Sequence, residues 1–283
     1  MKIFLANLEE VFRDAAANWI LAAYFVLTTL FVLLFAATLN LDVVNGALAG
    51  ARLFGQDLQM HGGPVKIEDF VSGMEAGVAA FIFLFGVILG LLATAHLVPR
   101  MMDKGTVDLY LSRPVGRIPL LLSRYVAGLI LVGANLIYLF GSFQLMVGAK
   151  THVYHARLWL AALTIYFTIA VLMAFMFLIG TLSGSTIVSL MTGFAVYVFG
   201  AILAMHNQIA AALTYDWAAN AIQTLYWIIP KTGELSRATV FLVAGNTFRD
   251  HGPQHFATAY LTTAAFGLTA LTLAAWRFHR RDF

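Results

Sequence analysis

Cysteine is absent from the chain, which excludes disulfides, thiol catalysis and cysteine-ligated zinc. Charge is scarce. Only 11% of the 283 residues are Asp, Glu, Lys or Arg, against about 25% in soluble domains. With 61% of residues hydrophobic and a mean hydropathy of +0.84, an ordinary soluble fold is excluded. No Gly-x-x-x-x-Gly-Lys-Ser/Thr stretch occurs, so the chain lacks the loop that cradles nucleotide phosphates. Carboxylates, lysines and arginines are missing from the middle of the long apolar runs, where ion-driven carriers place them. Nor do those runs hold the paired acids, Ser–His pair or metal ligands of an intramembrane enzyme.

What is present is a series of apolar runs long enough to cross a bilayer. They predict an all-α polytopic membrane protein, a single transmembrane domain over residues 1–283. Six transmembrane helices are expected, at about 19–39, 76–97, 118–147, 158–179, 186–205 and 256–276. Residues 2–16 set Ile3, Phe4, Leu8, Val11 and Phe12 mostly on one helical face, with Glu9, Glu10, Arg13 and Asp14 largely opposite. That pattern predicts an N-terminal interfacial helix. The same acids interrupt any signal-peptide core, so the first span is expected to stay attached as an anchor. Residues 40–75 read as a polar connection, 149–157 and 180–185 as turns. Residues 206–255 read as two short outer helices between spans five and six, broken at Pro230–Glu234.

The polar stretch 99–124 separates the second and third spans. It carries Arg100, Lys104, Arg113, Arg117 and Arg124 against Asp103 and Asp108. A short basic loop between spans is expected on the cytoplasmic side. With both termini on that side too, ten bases face six acids inside, while seven bases face eight acids outside. Within the loop, Thr106 is an N-cap candidate and Asp108 then sits in the first turn, where negative charge suits the helix dipole. Val107, Tyr110 and Leu111 share a face, and Pro114 stops the helix. Such a helix across the bundle's mouth is a handle for a soluble partner; an ordinary amphipathic loop fits the spacing equally well.

Asp103-Lys104-Gly105-Thr106-Val107-Asp108, followed by Leu109-Tyr110-Leu111-Ser112-Arg113-Pro114-Val115-Gly116-Arg117, resembles the cytoplasmic loop of type-2 ATP-binding-cassette (ABC) permeases. Arg124 matches the basic residue that soon follows. Met101 departs from the pattern, which usually has an acid there. The resemblance implies a permease subunit of an ABC transporter, expected to export by alternating access. Its partners would be a separate ABC ATPase subunit, a second permease subunit and the lipid bilayer, in a prokaryotic cytoplasmic membrane. It implies coupling to the ATPase through Asp103, Lys104, Gly105, Thr106, Asp108, Tyr110, Ser112, Arg113 and Pro114. Hydrolysis would occur in the partner, with no catalytic residue, cofactor or nucleic acid on this chain. A non-transporting anchor or scaffold subunit is the alternative.

Polar residues inside the spans are candidates for a translocation path: Asn135 and Gln144, Thr164 and Thr168, Ser189 and Thr192. Hydrogen bonding between helices is an equal reading of them. His152 with His155, and His251 with His255, have metal-ligand spacing but no third ligand. Solvated loop histidines are the expectation, as is an interfacial role for His96.

Overall fold

The computed structural model describes residues 19–44, 47–53, 56–57, 67–97, 116–245 and 254–280. The proposed interfacial helix at 2–16 lies outside them. Nine helices and one small sheet are present among the described residues. They are α1 (Trp19–Thr38), α2 (Ile67–Thr94), α3 (Arg117–Thr151), α4 (Arg157–Ser183), α5 (Thr186–Leu203), α6 (His206–Ala212), α7 (Asp216–Ile228), α8 (Thr232–Ala244) and α9 (Gln254–His279). Strands β1 (Leu39–Val44), β2 (Ala47–Leu53) and β3 (Gln56–Asp57) form an antiparallel sheet in that order.

Five helices are long and apolar enough to cross a membrane: α2, α3, α4, α5 and Phe256–His279 of α9. In α1 the apolar segment is shorter, Ala22–Ala37, although the whole 20-residue helix reaches about 30 Å. Five of the six expected spans thus coincide with such helices among the described residues, and the first does not reach that length. Helix α2 starts nine residues before the expected span, because Glu68 and Asp69 occupy its first turn and favour a helix N-terminus. The turn expected over 180–185 is tighter than the sequence suggested. Helix α4 runs on to Ser183, Gly184 takes φ +67 and caps it by donating to Gly180 O, and Ser185 caps α5. A left-handed residue after a helix is the ordinary role of glycine.

One further element differs from expectation. The connection after α1 is not plain loop, since β1 and β2 pair from Leu39↔Leu53 to Val44↔Ala47. Helix α8, in the segment expected to hold short helices, is seated against the bundle. It packs against α2 and α4 with Leu235, Ala238, Thr239 and Val243 buried. Its approach depends on missing side chains. A Cβ on Gly233 would stand 2.6 Å from Ala204 Cβ and 2.9 Å from Ala201 O on the α5 side.

Long-range hydrogen bonds set the directions of the helices. Lys150 Nζ donates to Ala36 O at 2.8 Å, joining the C-terminal ends of α3 and α1. Arg117 Nη1 donates to His279 O at 3.2 Å, joining the start of α3 to the end of α9. One end of the bundle therefore carries the sheet, the α3–α4 turn and α6–α8. The other carries the end of α2, the start of α3, the α4–α5 turn and the end of α9. Helix α4 runs through the middle, and Leu158, Ile165, Ile169 and Leu172 on it are fully buried.

Candidate functional site

The coupling residues expected from the sequence, Asp103, Lys104, Gly105, Thr106, Asp108, Tyr110, Ser112, Arg113 and Pro114, lie outside the described residues. The helix ends that flank them are described. Leu97, Leu120, Leu121, Met173, Phe177, Ala274 and Phe278 form one buried apolar cluster. It draws the ends of α2, α3, α4 and α9 together. A Cβ on Gly128 would stand 2.7 Å from Leu97 Cδ1, so α3 lies hard against the chain leaving α2. Arg124, on the same stretch of α3, is only 5% exposed.

The six candidate path residues fall at different places. Asn135 is fully buried and accepts a hydrogen bond from Thr28 Oγ1 at 3.1 Å, tying α3 to α1. Thr164 meets Tyr260 OH at 2.6 Å, tying α4 to α9. Thr168, one turn on, donates to Thr164 O. Ser189 and Thr192 donate within α5, to Ser185 O and Val188 O. Gln144 belongs to a network that the sequence reading did not find. Trp159 Nε1 donates to Gln144 Oε1 at 2.8 Å, and Gln144 Nε2 donates to His155 O at 3.1 Å. His155 Nδ1 lies 2.8 Å from Glu75 Oε2. Glu75 is fully buried, and its Oε1 makes no hydrogen bond among the described residues. His155 is thus a hydrogen-bond partner of a buried acid, not the solvated histidine expected. Glu75 reads in the sequence as one more acid of a polar connection, and its partner stands eighty residues away.

A cavity of about 900 Å³ opens at the sheet end of the bundle, between α6, α7, α8 and the start of α9. Lys231, at the turn between α7 and α8, lies at its wall and is 3% exposed. Its Nζ stands 4.2 Å from the ring centroids of both Tyr226 and Trp227. Aromatic faces attract cations, most strongly where water is excluded. Burial pulls the ammonium below its usual pKa, and the Glu234 charge opposes that shift. The Tyr226 hydroxyl donates to Glu234 Oε1, and its ring stacks on His206 with centroids 3.7 Å apart. Burial and Glu234 together push the Tyr226 phenol up. Arg237, Val240, Phe241 and Phe256 complete the far side. The turn is fixed from below: Lys231 N donates to Thr263 Oγ1 at 3.0 Å, and Thr232 Oγ1 donates to Tyr197 O at 2.8 Å. The only signal in the sequence was a lone lysine after Pro230, closing an aromatic run.

The described residues give this arrangement two poles. It is a set of tightly joined helix ends at one pole and a charged, aromatic cavity at the other. Compared with curated proteins, the chain shows no significant match. Residues 8–283 match the family model described as ABC-2 family transporter protein, so the chain belongs to the family of type-2 ABC transporter permeases.

Proposed function

We propose that the chain is the permease subunit of an ABC exporter, driven by a separate ATPase, with a second permease subunit beside it. The observation that carries this reading is the clamp on both sides of the basic stretch 98–115. Leu97 before it and Leu121 after it share one buried cluster with Phe177 and Phe278, and Arg117 is bonded to the end of α9. A push delivered to the stretch reaches four helices at once. Close-packed interiors transmit such displacements because they compress little.

In this reading all six long helices span the bilayer, α1 included. The stretch 98–115 and both termini face the cytoplasm of a prokaryotic cell, which puts the sheet and α6–α8 outside. Asp103 to Pro114 dock the ATPase, and nucleotide-driven closure alternates the bundle between inward- and outward-facing arrangements. Helices α6–α8 act as the outer gate. Asn135, Gln144, Thr164, Thr168, Ser189 and Thr192 are the candidates along the path.

Copurification tests it. The tagged chain should bring down an ATPase that has a phosphate-binding loop, and the pair should hydrolyse ATP while the isolated chain does not. Recovery of the chain without such a partner, or hydrolysis by the chain alone, would overturn the proposal.

A further inference from the structure

We propose that the cavity between α6, α7 and α8 is a binding site for an anionic lipid, with the headgroup phosphate at Lys231 and the apolar part against Phe241 and Phe256. A buried ammonium is costly unless something answers its charge. Lys231 is 3% exposed, and its Nζ makes no hydrogen bond among the described residues. The faces of Tyr226 and Trp227 attract it but leave its three N–H donors without acceptors. The cavity is where an acceptor can enter.

The charges on the wall select its sign. Lys231 and Arg237 stand against Glu234, and Glu234 Oε1 already accepts the Tyr226 hydroxyl. His206 is engaged with the Tyr226 ring and with Leu203 O. One positive charge is left over, which suits a phosphodiester monoanion. The size selects against a bare anion: 900 Å³ lies at the upper end of the range of about 300–1,000 Å³ for organic ligands.

Helix α7 selects the lipid. Its outward side exposes Trp217 by 72%, Trp227 by 58% and Ile228 by 60%, while Gln223, Tyr226 and Trp227 reach the cavity. Amphipathic helices rich in tryptophan lie at the headgroup level of a bilayer. The cavity mouth therefore opens where lipid headgroups are. Which leaflet supplies them follows from the orientation proposed above, but binding itself does not depend on that orientation or on export.

The test uses the full chain labelled with 5-fluorotryptophan in phosphatidylcholine nanodiscs containing increasing phosphatidylglycerol. The Trp227 fluorine resonance is assigned by loss in Trp227→Phe. The parent should show a saturable shift of that resonance. Lys231→Met should need at least about tenfold more phosphatidylglycerol, because a charge-assisted hydrogen bond is lost. Arg237→Gln, at an exposed position, should weaken binding in the same direction. Arg280→Met removes another cation on an aromatic ring, over Trp276 at the far end, and should leave the shift unchanged. An unchanged Trp227 resonance in the parent would overturn the proposal. So would equal sensitivity in Lys231→Met and the parent, or an equal shift from inorganic phosphate in pure phosphatidylcholine discs, which would mark a free-anion site.

Discussion

Replacing Gly233 by alanine tests whether α8 is seated inside the bundle as described. The added Cβ would lie 2.6 Å from Ala204 Cβ, 2.9 Å from Ala201 O and 3.0 Å from Ala201 Cα. Carbon atoms rest at about 3.5–4.0 Å, so α8 must retreat from α5 by about 1 Å. No rotamer relieves this, because all three obstacles are backbone or Cβ atoms. Overpacking of this kind costs about 1–3 kcal/mol. The helix itself gains about 0.5–1 kcal/mol from the change, which leaves a net loss of about 1–2 kcal/mol. Gly77 in α2 is the control. Nothing lies within 4 Å of its added Cβ, so Gly77→Ala keeps the helix gain of about 0.5–1 kcal/mol without the clash. Both variants share the helix gain, so they should differ by the overpacking cost of about 1–3 kcal/mol, or roughly 2–12 °C in Tm at about 2–4 °C per kcal/mol. Thermal unfolding of the detergent-purified protein, followed by tryptophan fluorescence, reads the difference. If Gly233→Ala unfolds at or above the temperature of Gly77→Ala, α8 does not press on α5 and the account of this end of the bundle fails.

His155→Ala should cost about 3 kcal/mol in the same assay, because Glu75 is then buried without its partner; a cost below about 0.5 kcal/mol would mean that water already solvates the carboxylate. Replacing both residues by leucine should recover most of that loss. Asn135→Leu separates structure from transport: a residue that only ties α3 to α1 costs about 0.5–1.5 kcal/mol for the lost hydrogen bond, since the Thr28 hydroxyl keeps its bond to Tyr24 O, and leaves transport per folded molecule unchanged, whereas a path residue loses transport at unchanged stability. Because the chain has no cysteine, single substitutions report topology without background. An impermeant thiol reagent outside the cell should label Tyr215→Cys, whose position is exposed by 67%, and spare Asp103→Cys; the reverse pattern inverts the bundle.

Most of the membrane architecture was legible because hydropathy is local. An apolar run of twenty residues has few alternatives to a spanning helix, and the turn at Gly184 and Ser185 follows from the preferences of single residues. The pairs that hold the ends together were not legible. Glu75 and His155 are eighty positions apart, and each is unremarkable in its own segment. The seat of α8 against the bundle was not legible either, because Glu234, Ser236 and Arg237 give it a surface composition. Its polar side faces the cavity, while Leu235, Ala238, Thr239 and Val243 are buried against α2 and α4. The alternation in Leu39-Asn40-Leu41-Asp42-Val43 was a usable strand signal, passed over in reading 40–75 as one polar connection. The resemblance of residues 103–117 to a permease loop identified the family, and did so through side chains that composition alone would not have singled out.

The central claim is that the stretch from Gly105 to Pro114 passes the ATPase's motion to the bundle. Asp108→Arg tests it most directly, in the full permease reconstituted with its ATPase. Reversing the charge at the start of the helix expected from the sequence costs only about 0.3–1 kcal/mol, too little to unfold a bundle of this size. Loss of a charge pair buried at the docking surface costs about 2–5 kcal/mol, enough to weaken association some 30-fold or more. The account predicts normal insertion and abundance, with ATPase association lost or hydrolysis no longer stimulated by transported substrate. Parent-like association together with parent-like stimulated hydrolysis would contradict it, and would leave the stretch as a connector between two helices.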